Sequence, residues 1–111
     1  MRLPADSLIP LEKLTRYLLV PLPRADKSAF LALAGYTADN ADRLRRDLWL
    51  QILPLEATPA GTTEFGDFFA ICGALCGPND RSLRVNTVWM REHLSGETRF
   101  ITLLPDRSKR S

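Results

Sequence analysis

The side chains of this 111-residue sequence that could act together on a charged substrate are Lys13, Lys27, Arg84, Thr87, Arg99 and Thr102, with Asn86 among them. Lysine and arginine supply fixed positive charge, and threonine hydroxyls both donate to and accept from a phosphate. Cleaving RNA without a metal asks for those functions, plus a group that takes the 2′-hydroxyl proton and one that protonates the leaving oxygen. In that scheme Lys13 and Lys27 hold phosphate, Thr87 and Thr102 hydrogen-bond the scissile group, and Arg84 neutralises developing charge. Trp89 could stack on a base, although its alternation with Leu83 and Val85 marks it as a core residue. No general base is assigned. His93, the sole imidazole, stands beside Glu92 near a turn with no evident orienting partner, which reads as a solvated loop. The plainer account of the whole set is that the threonines are β-branched residues suited to strands, while the lysines lie on helix exteriors.

Other chemistries find little support. There is no G-x-x-x-x-G-K, G-x-G-x-x-G, G-x-S-x-G or H-E-x-x-H pattern, which disfavours nucleotide-cofactor and familiar hydrolytic enzymes. No cofactor is expected, and no metal, because one histidine with Cys72 and Cys76 falls short of four ligands. Four apart on an extended strand, those thiols are separated by roughly 13 Å and do not bridge. They read as reduced, buried small hydrophobes of a cytoplasmic protein.

The elements that must position these groups divide into a helical half and a sheet half. Leu11, Leu14 and Leu18 repeat at helical spacing after Pro10, predicting a first helix to about Leu19 that Pro21 and Pro23 terminate. Asp26 should cap a second helix from Lys27 to about Ala34, with Gly35 as its stop. A third, capped near Thr37 or Asp39, carries Ala41, Leu44, Leu48 and Ile52 on one stripe and ends before Pro54. Its wet side offers Asp39 with Arg43 and Asp42 with Arg46 as pairs four apart. Leu55 to Thr63 reads as a linker or poor edge strand. Three strands follow: Asp67 to Leu75, apolar on both faces and so central; Leu83 to Met90, with Arg84 and Asn86 toward solvent; and Thr98 to Leu104. Gly77-Pro78-Asn79-Asp80 joins the first two as a hairpin, with asparagine suited to the left-handed region.

The expected fold is therefore α+β, two to three N-terminal helices packed on a three- to four-stranded antiparallel sheet. One domain over 1–105 is followed by a basic tail, 106–111, which holds the entire formal charge of +2 and leaves the body neutral. A neutral body provides no broad cationic face, so any binding groove for nucleic acid has to arise from folding. The longest apolar run, Tyr17 to Val20, stops at Pro21, so no membrane contact is expected.

The ordered set of residues resembles an uncharacterised bacterial family, number 6883 among domains of unknown function. Glu12 to Leu19, Lys27 with Phe30, Gly35-Tyr36, Asn40 and Leu44 carry the likeness in the helical half. Phe65-Gly66, Gly73-Ala74-Leu75, Gly77-Pro78-Asn79, Val85 to Trp89, and Arg99 to Thr102 with Pro105 carry it in the sheet. The resemblance implies a toxin-associated domain, similar in element order to barnase, EndoU, colicin and RelE-like ribonucleases, with RNA as substrate and a small antitoxin or immunity protein as partner. Lys13, Lys27, Thr87, Trp89 and Thr102 are the matching polar positions. A competing expectation is a non-catalytic module that docks another protein through a sheet edge or helix face.

Overall fold

Helix formation begins where the sequence pattern places it, but two of the helices finish in wider turns. The structure, a computed structural model, describes residues 1–19 and 27–106. Helix α1 comprises Leu11–Lys13 and a π-helical segment, Leu14–Leu18, closed by the Leu19 amide on the Leu14 carbonyl at 2.9 Å. Leu14 and Leu18 are its buried face. Helix α2 spans Lys27–Ala32; its predicted cap, Asp26, and the breakers Pro21 and Pro23 lie outside the described residues. Helix α3 runs through a 3-10 turn, Ala38–Asn40, an α-helical part, Ala41–Asp47, and a π-helical end, Leu48–Ile52. Thr37 is its cap: Asn40 Oδ1 accepts the Thr37 amide at 2.7 Å, satisfying a donor that the helix cannot.

The sheet is a four-stranded antiparallel meander in the order β1-β2-β3-β4, with β1 Thr58–Thr62, β2 Gly66–Cys76, β3 Ser82–Glu92 and β4 Thr98–Pro105. The segment read as a linker or poor edge strand is the edge strand β1, fully exposed and irregular at Pro59 and Gly61, features that discourage pairing with another chain. On the other edge, Leu8 pairs in parallel with Arg99, its amide donating to Thr98 O and its carbonyl accepting from the Phe100 amide, each at 2.8 Å. Alternation then sorts the strands: Phe69, Ile71 and Leu75 with Val85, Thr87 and Trp89 face the helices, whereas Ala70, Cys72, Arg84, Asn86 and Val88 face away. Cys72 is thus exposed rather than buried, because even-numbered β2 positions point from the core; both thiols are free.

Leu14, Leu31, Leu44, Leu48 and Ile52 pack from the helices onto Ile71, Leu75, Val85 and Leu103. Trp89 and Phe100 meet edge-to-face at 5.4 Å in the middle of this layer. The β2–β3 turn is clamped to the end of α2, where a Cβ on Gly77 would stand 2.1 Å from the Ala34 carbonyl oxygen, so only glycine fits. Asp80, at φ 68°, takes the left-handed conformation expected of Asn79. Asn79 instead donates its side-chain amide to the Leu33 carbonyl at 3.1 Å and accepts the Arg81 amide at 3.0 Å.

One polar knot is buried. Asp47, 3% exposed, accepts from the Tyr36 hydroxyl at 2.7 Å and from Arg43 Nε at 2.9 Å. This replaces the expected Asp39–Arg43 pair, since a carboxylate out of water needs its cation more than one in water does. Beside it Gln51 brackets the Cys76 peptide, accepting its amide at 2.7 Å and donating to its carbonyl at 3.0 Å. Together these bonds fasten α3 to the end of β2. Among the described residues no helix is long and apolar enough to cross a membrane.

Candidate functional site

Two polar clusters follow from this arrangement. The first lies on the β4 edge. Lys27 opens α2 and its ammonium donates to Thr102 Oγ1 at 2.8 Å, across 75 residues of chain. Thr102 stands opposite Val88, just where the β3–β4 register slips and Ile101 becomes the extra residue of a bulge. Bulges re-aim side chains at strand edges, which suits a hydroxyl that must meet a helix. Lys13, from α1, is close enough that its charge acts on Lys27. Partial burial first, and the Lys13 ammonium second, lower the Lys27 pKa from its ordinary value. Among the described residues no carboxylate forms an ion pair with either lysine.

The other expected site residues are not in this cluster. Thr87 and Trp89 are both 0% exposed, because odd positions of β3 face the helices. The Thr87 hydroxyl donates to the Ile71 carbonyl at 2.9 Å and accepts the Trp89 indole N–H at 2.8 Å. Neither can touch a substrate in this fold; their polar atoms satisfy each other inside the core. Arg84 shares the outward sheet face with Val88 and Thr102 but stands apart along the strand, exposed, with its guanidinium 3.7 Å from the Asp106 carboxylate. Four residues from Val88 along β3, it is roughly 13 Å from the Thr102 position. Arg99 leans on Glu97 at 3.4 Å.

The second cluster forms where β2 and β3 end, and it gives the histidine a partner. His93 Nε2 lies 3.3 Å from Asp67 Oδ1, which also accepts the Thr62 hydroxyl at 3.0 Å. Arg91 sits 3.6 Å from the other Asp67 oxygen and 5.6 Å from the centre of the Phe69 ring. Hydrogen bonds from His93 and then Thr62, with the charges of His93 and Arg91, hold the Asp67 carboxyl below its ordinary pKa. The His93 backbone amide donates to the Phe65 carbonyl at 2.9 Å, so the sheet ladder itself fixes the residue. Phe65 and Leu94 beside it are 68% and 99% exposed.

A signal for this cluster exists in the chain. Extending the hairpin outward from the Leu75–Leu83 pair brings Asp67 opposite Arg91, with His93 two residues beyond. Counting the register finds the set; linear spacing does not, because 26 residues separate carboxylate from imidazole. No three side chains of metal-ligating type converge among the described residues.

A family model described as Domain of unknown function (DUF6883) matches residues 4–107, nearly the full length, and the chain belongs to that family. Neither the curated proteins nor the solved structures contain a significant match.

Proposed function

We propose that this member of the DUF6883 family is a toxin-type, metal-independent ribonuclease domain that works in the cytoplasm and is held in check by a small antitoxin or immunity protein. The observation that carries the reading is the Lys27 ammonium on Thr102, with the Lys13 charge near enough to act on Lys27 and no carboxylate paired to either among the described residues. Two ammonium groups brought together repel one another, and a phosphodiester supplies the missing negative charge. Thr102 accepts from Lys27 and keeps its own hydroxyl proton to donate to a phosphate oxygen. Helices followed by an antiparallel meander is also the element order of barnase- and RelE-like ribonucleases, a likeness at the level of fold analogy.

The test is to incubate the purified chain with total RNA in the presence of a chelator. Cleavage is expected, weakened in Lys27→Ala, whose binding to single-stranded RNA should fall less steeply with salt, by about 0.7 in log–log slope for one lost phosphate contact. Intact RNA after exposure to folded wild-type protein refutes the reading.

A second reading is favoured by a separate observation. The sheet face turned from the helices carries Phe68, Ala70, Val88 and Met90 half-buried and Cys72 and Ala74 exposed, with no described helix over it. An apolar hollow of about 370 Å³ also opens between the N-terminal segment and α3, lined by Leu3, Trp49, Leu50, Leu53 and Pro54. A non-catalytic, protein-binding module would use such surfaces. Stable capture of one protein partner together with intact RNA would select it over the nuclease.

A further inference from the structure

We infer that His93 is the proton-transfer residue of the ribonuclease proposed above, with Asp67 positioning it and Arg91 supplying charge, while the lysine pair grips a different phosphate of the same RNA strand. The inference rests on that reading and supplies the general base it lacks. It starts from the geometry of the sole imidazole: with Nε2 directed at the Asp67 carboxylate at 3.3 Å, the neutral ring keeps its acceptor lone pair on Nδ1. Asp67 is itself held by Thr62 and Arg91, and the His93 backbone is bonded to Phe65, so the ring is carried on rigid strand ends rather than on a free loop. Its side chain is 42% exposed, enough for a substrate hydroxyl to reach it. Phe65, 68% exposed across the ladder, offers a face on which an unpaired base can stack.

The step balances without a metal or redox partner. His93 Nδ1 accepts the 2′-hydroxyl proton as the 2′ oxygen bonds to the adjacent phosphorus and the bond from phosphorus to the 5′ oxygen breaks. The departing 5′ oxygen takes a proton from water, and the hydroxide so formed takes the proton held on His93, leaving a 2′,3′-cyclic phosphate, a 5′-hydroxyl end and the neutral imidazole. Arg91 has five donors, and those not turned to Asp67 remain for the charged phosphorane. Lys27 cannot serve this phosphate. Thr102 is opposite Val88, and His93 lies five residues further along the chain, about 17 Å at the strand rise. Thr102 shares the outward face with Val88, whereas Asp67 and Arg91 share the inward face with Phe69, so the enzyme requires a single strand long enough to pass around the sheet and reach both clusters.

The experiment compares full-length wild type with His93→Ala, His93→Gln, Asp67→Asn, Asp67→Glu and Leu94→Ala on a single-stranded RNA, reading kcat, KM and end chemistry. Glutamine can keep a hydrogen bond to Asp67 but cannot shuttle a proton, so it separates catalysis from folding. Both His93 variants should lose about 10²- to 10⁴-fold in kcat with KM and circular dichroism unchanged. Asp67→Asn should lower kcat with KM unchanged, and Asp67→Glu, which keeps the carboxylate, should restore part of that kcat, a split that a purely structural carboxylate would not show. Leu94→Ala should behave as wild type. Cleavage by wild type that survives in folded His93→Ala or His93→Gln overturns this assignment alone; no cleavage by wild type overturns the nuclease reading and this one with it.

Discussion

Replacing Tyr36 with phenylalanine tests how the helical half is fastened to the sheet. The hydroxyl donates to Asp47 at 2.7 Å and lies 3.1 Å from the Cys76 carbonyl, and all of it is buried. Without it, Asp47 keeps Arg43 at 2.9 Å and the Cys76 carbonyl keeps Gln51 at 3.0 Å, so neither acceptor is orphaned. The expected cost is that of one hydrogen bond to a charged acceptor, about 2 kcal/mol. Asp47→Ala removes the anion from both Tyr36 and Arg43 and should cost about 3 kcal/mol. Because the two share a bond, the double variant should lose less than the sum, with a coupling of about 1.5 kcal/mol. Urea unfolding followed by circular dichroism reads these values; at an m-value of about 2 kcal/mol/M, Tyr36→Phe moves the midpoint by about 1 M. Alkali provides an independent check. Burial first, then the hydrogen bond to Asp47 and its charge, raise the phenol above its ordinary pKa. The folded state thus holds the proton longer, so this contribution is complete below about pH 10 and declines as pH rises further. Tyr36→Phe should lack that decline. A coupling below about 0.5 kcal/mol, or an equally steep alkaline loss in the phenylalanine variant, refutes the network.

Thr87→Val keeps the shape but strands the Trp89 N–H and removes a donor from the Ile71 carbonyl; thermal or urea unfolding should show a loss of about 1–3 kcal/mol. Any activity lost in a folded Thr87→Val protein beyond that explained by stability would contradict its place in the core. The Asp67 pKa is lowered in the fold, so its contribution is present above the unfolded value near pH 4 and disappears as pH falls through the folded value. Acid unfolding should accordingly be less steep in Asp67→Asn and in His93→Ala, which removes the main cause of the shift; curves identical to wild type would show that the pair does not persist in solution.

Much of the fold was legible in short-range patterns. Leu14, Leu18, Leu44, Leu48 and Ile52 repeat at helical spacing and do line the core, while Leu83, Val85 and Trp89 alternate and do face inward. Gly35 and the Gly77–Asp80 turn mark a helix end and a hairpin through local backbone chemistry. Less was legible of the charged pairs: Arg43 has acidic residues four positions away on either side, and burial of Asp47, invisible along the chain, selects the second.

The candidate sites divide along the same line. That Thr87 shares the inward face of β3 with Trp89 follows from period two, so its removal from any binding surface was implicit in the sequence once the core face was chosen. The meeting of Lys27 with Thr102, and the approach of Lys13 to Lys27, were not, because nothing local links two helices to a bulged edge strand. The same holds for Asp67 and His93, which only the hairpin register brings together. The chain alone determined which residues are helical, which alternate and which must leave water, since those preferences act over a few residues. Which polar groups meet was decided by tertiary packing, because hydrogen bonds reach about 3 Å and depend on positions that sequence distance does not encode.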